Sequence, residues 1–197
     1  MNAHTGSGMK LDLGCGLNKK AGFTGVDRLA LPGVDIVCDL DREPLPLPDD
    51  SVDEIHSMHF LEHTADLLAV MQEIWRVCRD GARVSVAVPY FNSIGAYRDP
   101  THRRFFTWET FEHFTDSDNV PSFYADARFR IVRRRLLFWP ANSTWKGHVR
   151  FGYLWPLQAL ANLAPYFYEH SLLRGIAASD LQVELIVLKK KGAGQRV

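Results

Sequence analysis

Short apolar runs, separated by polar and turn-rich stretches, organise the first half of the chain. Lys10–Cys15 reads as a buried strand, and Phe23–Asp27 and Val34–Leu40 read as two more. Val52–Phe60 is a fourth, entered through Pro48-Asp49-Asp50-Ser51, a run of turn formers. The period then changes. Leu67, Val70, Met71, Ile74, Val77 and Cys78 recur at helical spacing, with Thr64 as the expected N-cap and Gly81 as the expected stop. Arg83–Pro89 returns to a strand pattern, and Thr107–Phe114 predicts a short amphipathic helix. Phe129–Trp139 and Leu181–Lys189 are the sixth and seventh strands. No repeat or linker interrupts this order. The expectation is a single domain over 1-197, with 1-9 and 190-197 flexible and an aromatic-rich helical insertion at 139-180, before the last strand.

Strands interleaved with a helix predict an α/β fold with a mostly parallel, seven-strand sheet. A parallel crossover needs about a dozen residues, yet only seven separate Cys15 from Phe23. The N-terminal helices are therefore reduced, and the first is a single turn or missing. One sheet face is left bare, and the Trp/Tyr/Phe-rich stretch 138–178 is the expected cover. The same stretch suits a homodimer interface or an acceptor pocket. Phe151–Tyr168 carries no charge over eighteen residues, close to the length of a membrane span. Gly152, Pro156, Gln158, Asn162 and Pro165 break that run, so a helix over Pro156–Ala164 is expected, with membrane-surface contact a lesser use.

With 197 residues, 46% of them hydrophobic, the chain can bury one full core. Basic and acidic residues balance at 23 each, which argues against a nucleic-acid partner. The charges are nevertheless in blocks. Asp35–Glu54 holds eight acids against Arg42, and Asp126–Arg150 holds seven bases against one acid. The basic block could attract an anionic substrate. Cys15, Cys38 and Cys78 lack paired or metal-type spacing, which fits a reducing, cytoplasmic setting. Met1–Met9 lacks the apolar core of a signal peptide.

The chemistry concentrates in Leu11-Asp12-Leu13-Gly14-Cys15-Gly16, followed by Gly25-Val26-Asp27. Glycines let a backbone turn approach a ligand closely. An acid at the end of the next strand can accept from both hydroxyls of a ribose. An adenosine-containing cofactor follows from the pair. Further segments stand in order behind it: Val37-Cys38-Asp39-Leu40, Leu45–Asp53, His59-Phe60-Leu61-Glu62-His63, and Arg76–Gly81. From Lys10 to about Phe114 this succession resembles the class I S-adenosylmethionine-dependent methyltransferases, in their compact small-molecule branch.

That resemblance implies a Rossmann-like sheet with its last strand inserted antiparallel, and methyl transfer from S-adenosylmethionine without a metal. It implies that Asp12, Gly14, Cys15, Gly16, Asp27, Arg28, Asp39, Leu40, Met58 and His59 surround the cofactor. Asp27 would hold the ribose, Asp39 the adenine amine, and Met58 and His59 would border the sulfonium. Tyr97-Arg98-Asp99-Pro100-Thr101-His102-Arg103-Arg104 follows strand five, where ligands of open α/β sheets bind. It is similar to a segment in a bacterial subset suspected of acting on sugars or polysaccharide precursors. His102, and after it His63, would take the acceptor's proton. Tyr97, Asp99 and Arg103 would orient a small or glycan-like acceptor, or else Asp99 and the arginines merely pin the loop.

Two departures bear on the site. Asn18 stands where the family usually has a third glycine, and asparagine tolerates the left-handed backbone. The missing helix removes an N-terminus that would help hold the cofactor's carboxylate, leaving Lys19 and Lys20 as candidate replacements. Three other readings compete. His59-x-x-Glu62-His63 matches a zinc-hydrolase signature if it lies on a helix. A non-catalytic nucleotide-binding partner protein would keep the fold and lose turnover. A dinucleotide oxidoreductase needs a third glycine and a long helix, both missing here.

Overall fold

The computed structural model describes residues 8–116, 125–139 and 154–189. Seven strands form one sheet in the order β3-β2-β1-β4-β5-β7-β6. They are β1 (Met9–Leu13), β2 (Thr24–Asp27), β3 (Ile36–Val37), β4 (Val52–Met58), β5 (Cys78–Pro89), β6 (Phe129–Leu137) and β7 (Asp180–Val187). The first five run parallel, and β7 is antiparallel to both β5 and β6. Strand β3 is far shorter than the predicted Val34–Leu40.

Between β1 and β2 the chain makes turns only, so the expected loss of the first helix is observed. The polypeptide is tied instead by side chains. Asp12 Oδ2 accepts from Lys20 N at 2.7 Å, and Asp35 Oδ2 accepts from Gly25 N at 2.7 Å and from Lys19 Nζ at 2.8 Å.

Helix α1 (Leu67–Val77) buries Val70, Met71, Ile74 and Val77 among the core residues, which include Leu11, Leu13, Ile55, Val84 and Leu185. Its cap is not the predicted Thr64. Asp66 caps it through Ala69 N at 3.0 Å, while the buried Thr64 donates its hydroxyl to Leu61 O at 2.8 Å. The helix also stops before Gly81. Val52 pairs with Cys78, so the chain enters β5 directly, and Gly81 makes its positive-φ turn inside that strand, beside a register shift.

Two shorter predictions change character. The stretch at 107–114 contains a 3-10 helix over Thr110–Phe114 rather than a full amphipathic helix. A five-residue helix, α2 (Ile94–Arg98), was not predicted; Ser93 Oγ caps it from Ala96 N at 3.1 Å. In the insertion, α3 (Trp155–Leu163) and α4 (Pro165–His170) form, each with Pro in its first turn. No helix among the described residues is long and apolar enough to cross a membrane.

Register places Leu11, Leu13, Ile55 and Val84 on the face toward α1, and Lys10, Glu54, His56, Arg83 and Glu184 on the other. This second face stays part-exposed and is laced by Lys10–Glu54 at 2.7 Å and Arg133–Glu184 at 3.6 Å. The aromatic stretch was expected to cover it. Helix α3 instead binds the edge strand β6: Asn162 accepts from Leu136 N at 2.8 Å and donates to Leu136 O at 2.9 Å, and Gln158 accepts from Phe138 N at 3.2 Å. A side-chain amide thus occupies backbone groups that an edge strand would leave open. Trp155, Leu163, Tyr166, Phe167 and Leu172 face outward from this region. The predicted flexible ends, apart from Gly8 and Met9 at the start of β1, lie outside the described residues, as does 140–153 of the insertion.

Candidate active site

A cleft of about 290 Å³ opens at the carboxyl ends of β1, β2 and β4. The strand order sets Asp27, Arg28, Asp39 and Leu40 at the β2–β3 end of its wall and His59, Phe60, His63 and Thr101 at the β4 end, with Gly14 and Gly16 between them. Parallel strands deliver their carboxyl ends to one edge, which is why sequence-distant segments converge there.

The glycine turn shows why glycine is needed. Gly14 has φ +67°, and a Cβ built on it would lie 2.7 Å from Phe60 Cβ. Gly16 has φ +49°, and nothing lies within 4 Å of its built Cβ, so the backbone there borders open space. Its N–H donates to Asp27 Oδ2 at 3.0 Å, while Leu29 N donates to Asp27 Oδ1 at 3.0 Å. Each Asp27 oxygen therefore keeps lone-pair capacity for a diol. Asp39 lines the same end, with Asp41 N on Oδ1 at 3.2 Å and Arg42 Nε at 3.3 Å from Oδ2. Open space at Gly16, two strand-end carboxylates and the apolar Val26 and Leu40 fit the adenosine part of S-adenosylmethionine.

Other predicted cofactor residues sit elsewhere. Asp12 is 4% exposed and holds Lys20 N, Cys15 is buried beneath the turn, and neither they nor Met58 line the cleft. Burial, with Asp12 and Asp27 nearby, pushes the Cys15 thiol up, away from nucleophilic reactivity. Lys19 pairs with Asp35, and Lys20 Nζ lies 3.3 Å from His56 Nδ1 and over the Phe23 ring, so neither lysine lines the cleft as a carboxylate anchor.

At the far end, Leu61–His63 is a single 3-10 turn, preceded by His59 at φ +53°. His59 and His63 therefore do not share a helix face, and the zinc-hydrolase motif loses the geometry it requires. The turn is clamped by the loop after β5: Arg103 N and Arg104 N both donate to Glu62 O, at 2.8 and 3.1 Å. Glu62 is 1% exposed, and neither carboxylate oxygen has a hydrogen-bond partner. His59 Nδ1 approaches Oε1 to 3.3 Å, too obliquely for a hydrogen bond. The Glu62 carboxylate raises the His59 imidazole above its ordinary value; burial opposes this and Asp180 adds to it.

His63 and His102 pack edge to face with ring centroids 4.7 Å apart. His63 lines the cleft, whereas the His102 side chain is 8% exposed and sits behind it. Tyr97 stacks on Phe105 at 4.8 Å and is 64% exposed. Asp99 accepts from Thr101 N at 2.9 Å and Thr101 Oγ1 at 2.7 Å, which holds its carboxyl below the usual range. Tyr97, Asp99 and Arg103 do not line the cleft; Thr101 does, and it joins Asp99 to His63 at 2.9 Å. Phe60, Thr101 and the buried state of Glu62 were not singled out from sequence. Only the fold brings residues 60–63 against 101–104.

The family model described as a methyltransferase domain matches residues 11–86. No curated protein matches significantly. A solved S-adenosylmethionine-dependent methyltransferase from Archaeoglobus fulgidus is 19% identical at TM-score 0.59, covering 92% of this chain and 86% of its own. A possible histamine N-methyltransferase from Thermotoga maritima is 13% identical at TM-score 0.54, covering 92% and 82%. A phosphoethanolamine N-methyltransferase from Haemonchus contortus, solved with phosphomonomethylethanolamine and S-adenosylhomocysteine, is 12% identical at TM-score 0.52, covering 92% and 49%. These likenesses speak for the fold alone, while the family match covers the nucleotide-binding segments. Together with the cleft they make this chain a methyltransferase that uses S-adenosylmethionine.

Proposed function

We propose that the chain methylates an oxygen or nitrogen of a small-molecule or glycan-like acceptor seated over His59, His63 and Thr101. The observation that supports this most is the single cleft, with an adenosine-type end and an imidazole-lined end in one cavity. S-adenosylmethionine supplies an electrophilic methyl group. The protein's part is mainly placement, because transfer needs a lone pair aligned with the S–CH3 bond.

In this reading Asp27 and Asp39 hold the ribose and adenine, Leu40 covers the base, and Gly14 and Gly16 give the turn its close approach. Arg28 lies at the same end. His63 faces the acceptor and takes its proton, with His102 packed behind it. Asp99 acts through Thr101 to orient His63, and Tyr97 and Arg103 flank that pair in sequence. The Haemonchus relative is solved with a small phosphorylated amine, which supports a compact polar acceptor here.

Calorimetry with S-adenosylhomocysteine tests the cofactor end. Asp27→Ala removes charged acceptors worth about 1.5–3 kcal/mol each, so affinity should fall at least ~10-fold. Unchanged affinity would refute the assignment of the ribose site. His63→Ala and His102→Ala should keep affinity for the homocysteine product and lose turnover on an acceptor panel. Full turnover in either would overturn its role.

A further inference from the structure

Glu62 poses a problem that methyl transfer does not answer. It is a carboxylate, 99% withdrawn from solvent, with no hydrogen-bond donor on either oxygen. Such a group is costly unless a positive charge compensates it. One donor atom from each of Glu62, His63 and His102 lies within 4.8 Å of the other two, and His102 Nε2 is 4.0 Å from Glu62 Oε1.

The outer hydrogen bonds fix the imidazoles in one form. Ala96 O can only accept, so His102 Nδ1, 3.1 Å away, carries the proton. Thr101 Oγ1 gives its hydrogen to Asp99, so it accepts from His63 Nδ1–H at 2.9 Å. A neutral ring with its proton on Nδ1 has its lone pair on Nε2, the form a metal ion binds. Metal-bound histidines characteristically donate their other N–H to a carbonyl or a carboxylate-linked group, as both do here. Metal bonds near 2.1 Å put donor atoms about 3–3.5 Å apart, so the three groups must close by less than about 2 Å.

We propose that Glu62, His63 and His102 form a site for one divalent first-row transition ion at the acceptor end of the cleft. Two imidazoles and one carboxylate select ions such as Zn²⁺, Mn²⁺, Fe²⁺ or Co²⁺ over Mg²⁺ and Ca²⁺, which prefer oxygen shells. The set differs from the pairing read in the sequence: His102 replaces His59, and Glu62 is a ligand. With the ion bound, His63 would serve as a ligand in place of the base: the ion would hold the acceptor's oxygen or nitrogen and lower the pKa of its proton, which would leave to water. That use rests on the methyl-transfer reading; the existence of the site does not. His59 is the other titratable group facing Glu62, with Asp180 beyond it at 4.0 Å from His59 Nε2, and a protonated His59 or His102 is the competing source of charge.

Chelator-treated protein titrated with Co²⁺, followed by visible absorption, tests the site without any activity. One equivalent should bind, and excess Mg²⁺ should not displace it. Changes to groups behind a metal ligand already cost about 10–100-fold in affinity. Thr101→Val should therefore weaken binding about 10-fold, and His63→Ala or His102→Ala more than 100-fold. No saturable binding, displacement by Mg²⁺, or unchanged affinity in the His63→Ala/His102→Ala double variant would overturn the proposal. S-adenosylhomocysteine calorimetry on the same samples separates the two readings. Product binding without Co²⁺ binding defeats only the metal site; the reverse defeats only the cofactor assignment. Thr101→Val leaves all three ligands in place, so it remains informative if the histidine variants do not fold.

Discussion

Gly14 is the residue where backbone conformation and packing demand the same thing. A side chain there pays about 1–2 kcal/mol for the left-handed backbone and also strikes Phe60. Gly14→Ala should lower Tm by several degrees and weaken S-adenosylhomocysteine binding; a wild-type Tm would contradict the placement of Phe60. The cysteines make the opposite point, that chemistry can be switched off by burial. Cys78 is wholly buried, its thiol pushed up to about 12, and burial also raises Cys15 and Cys38. Iodoacetamide should label none of the three before denaturant is added, as read by intact mass. Rapid native labelling of Cys15 would reopen it as a nucleophile. The glycines were legible in sequence because their spacing carries the signal. Phe60 was not, because its role depends on a contact across two strands.

Helix α1 illustrates how local rules are overridden by tertiary ones. Thr64 and Asp66 are both good N-caps, and the burial of Thr64 against Leu61 leaves Asp66 to begin the helix. Asp66→Ala should cost about 1 kcal/mol, a fall of roughly 2–4 °C in Tm, while Thr64→Ser should leave the helix start intact by circular dichroism. The C-terminal end follows the same logic. Gly81 is a sound stop signal, yet pairing of Cys78 with Val52 ends the helix first. Arg76 then reaches back to Leu47 O at 3.0 Å and Leu45 O at 3.2 Å, holding the approach to β4 against the helix. Strands announced themselves by apolar runs, but their ends depended on which neighbour offered hydrogen bonds.

At the scale of the molecule, a reduced α/β sheet replaces helix packing on one face with charge pairs, and this gives it an acid sensitivity. Asp35 is held below its usual range by Lys19 and by Gly25 N–H, and Glu54 by Lys10. A depressed folded-state value means the contribution is present above the unfolded carboxylate range and is lost as pH falls through the folded one. Both pairs are exposed enough for solvent to weaken them, so the effect is small and salt-dependent. Thermal melts should decline on acidification below about pH 4, less steeply in Asp35→Asn; an identical slope in that variant would refute a role for Asp35. The sequence by itself determined the strands of the sheet, the missing first helix and the class of chemistry. Those signals are local, being runs, spacings and the acids at strand ends. Only the tertiary structure decided that Lys19 and Lys20 are spent on Asp35 and His56, that α3 guards an edge, and that Glu62 meets His63 and His102. Those facts depend on which distant segments the sheet brings together, and no local pattern records the burial of a carboxylate between them.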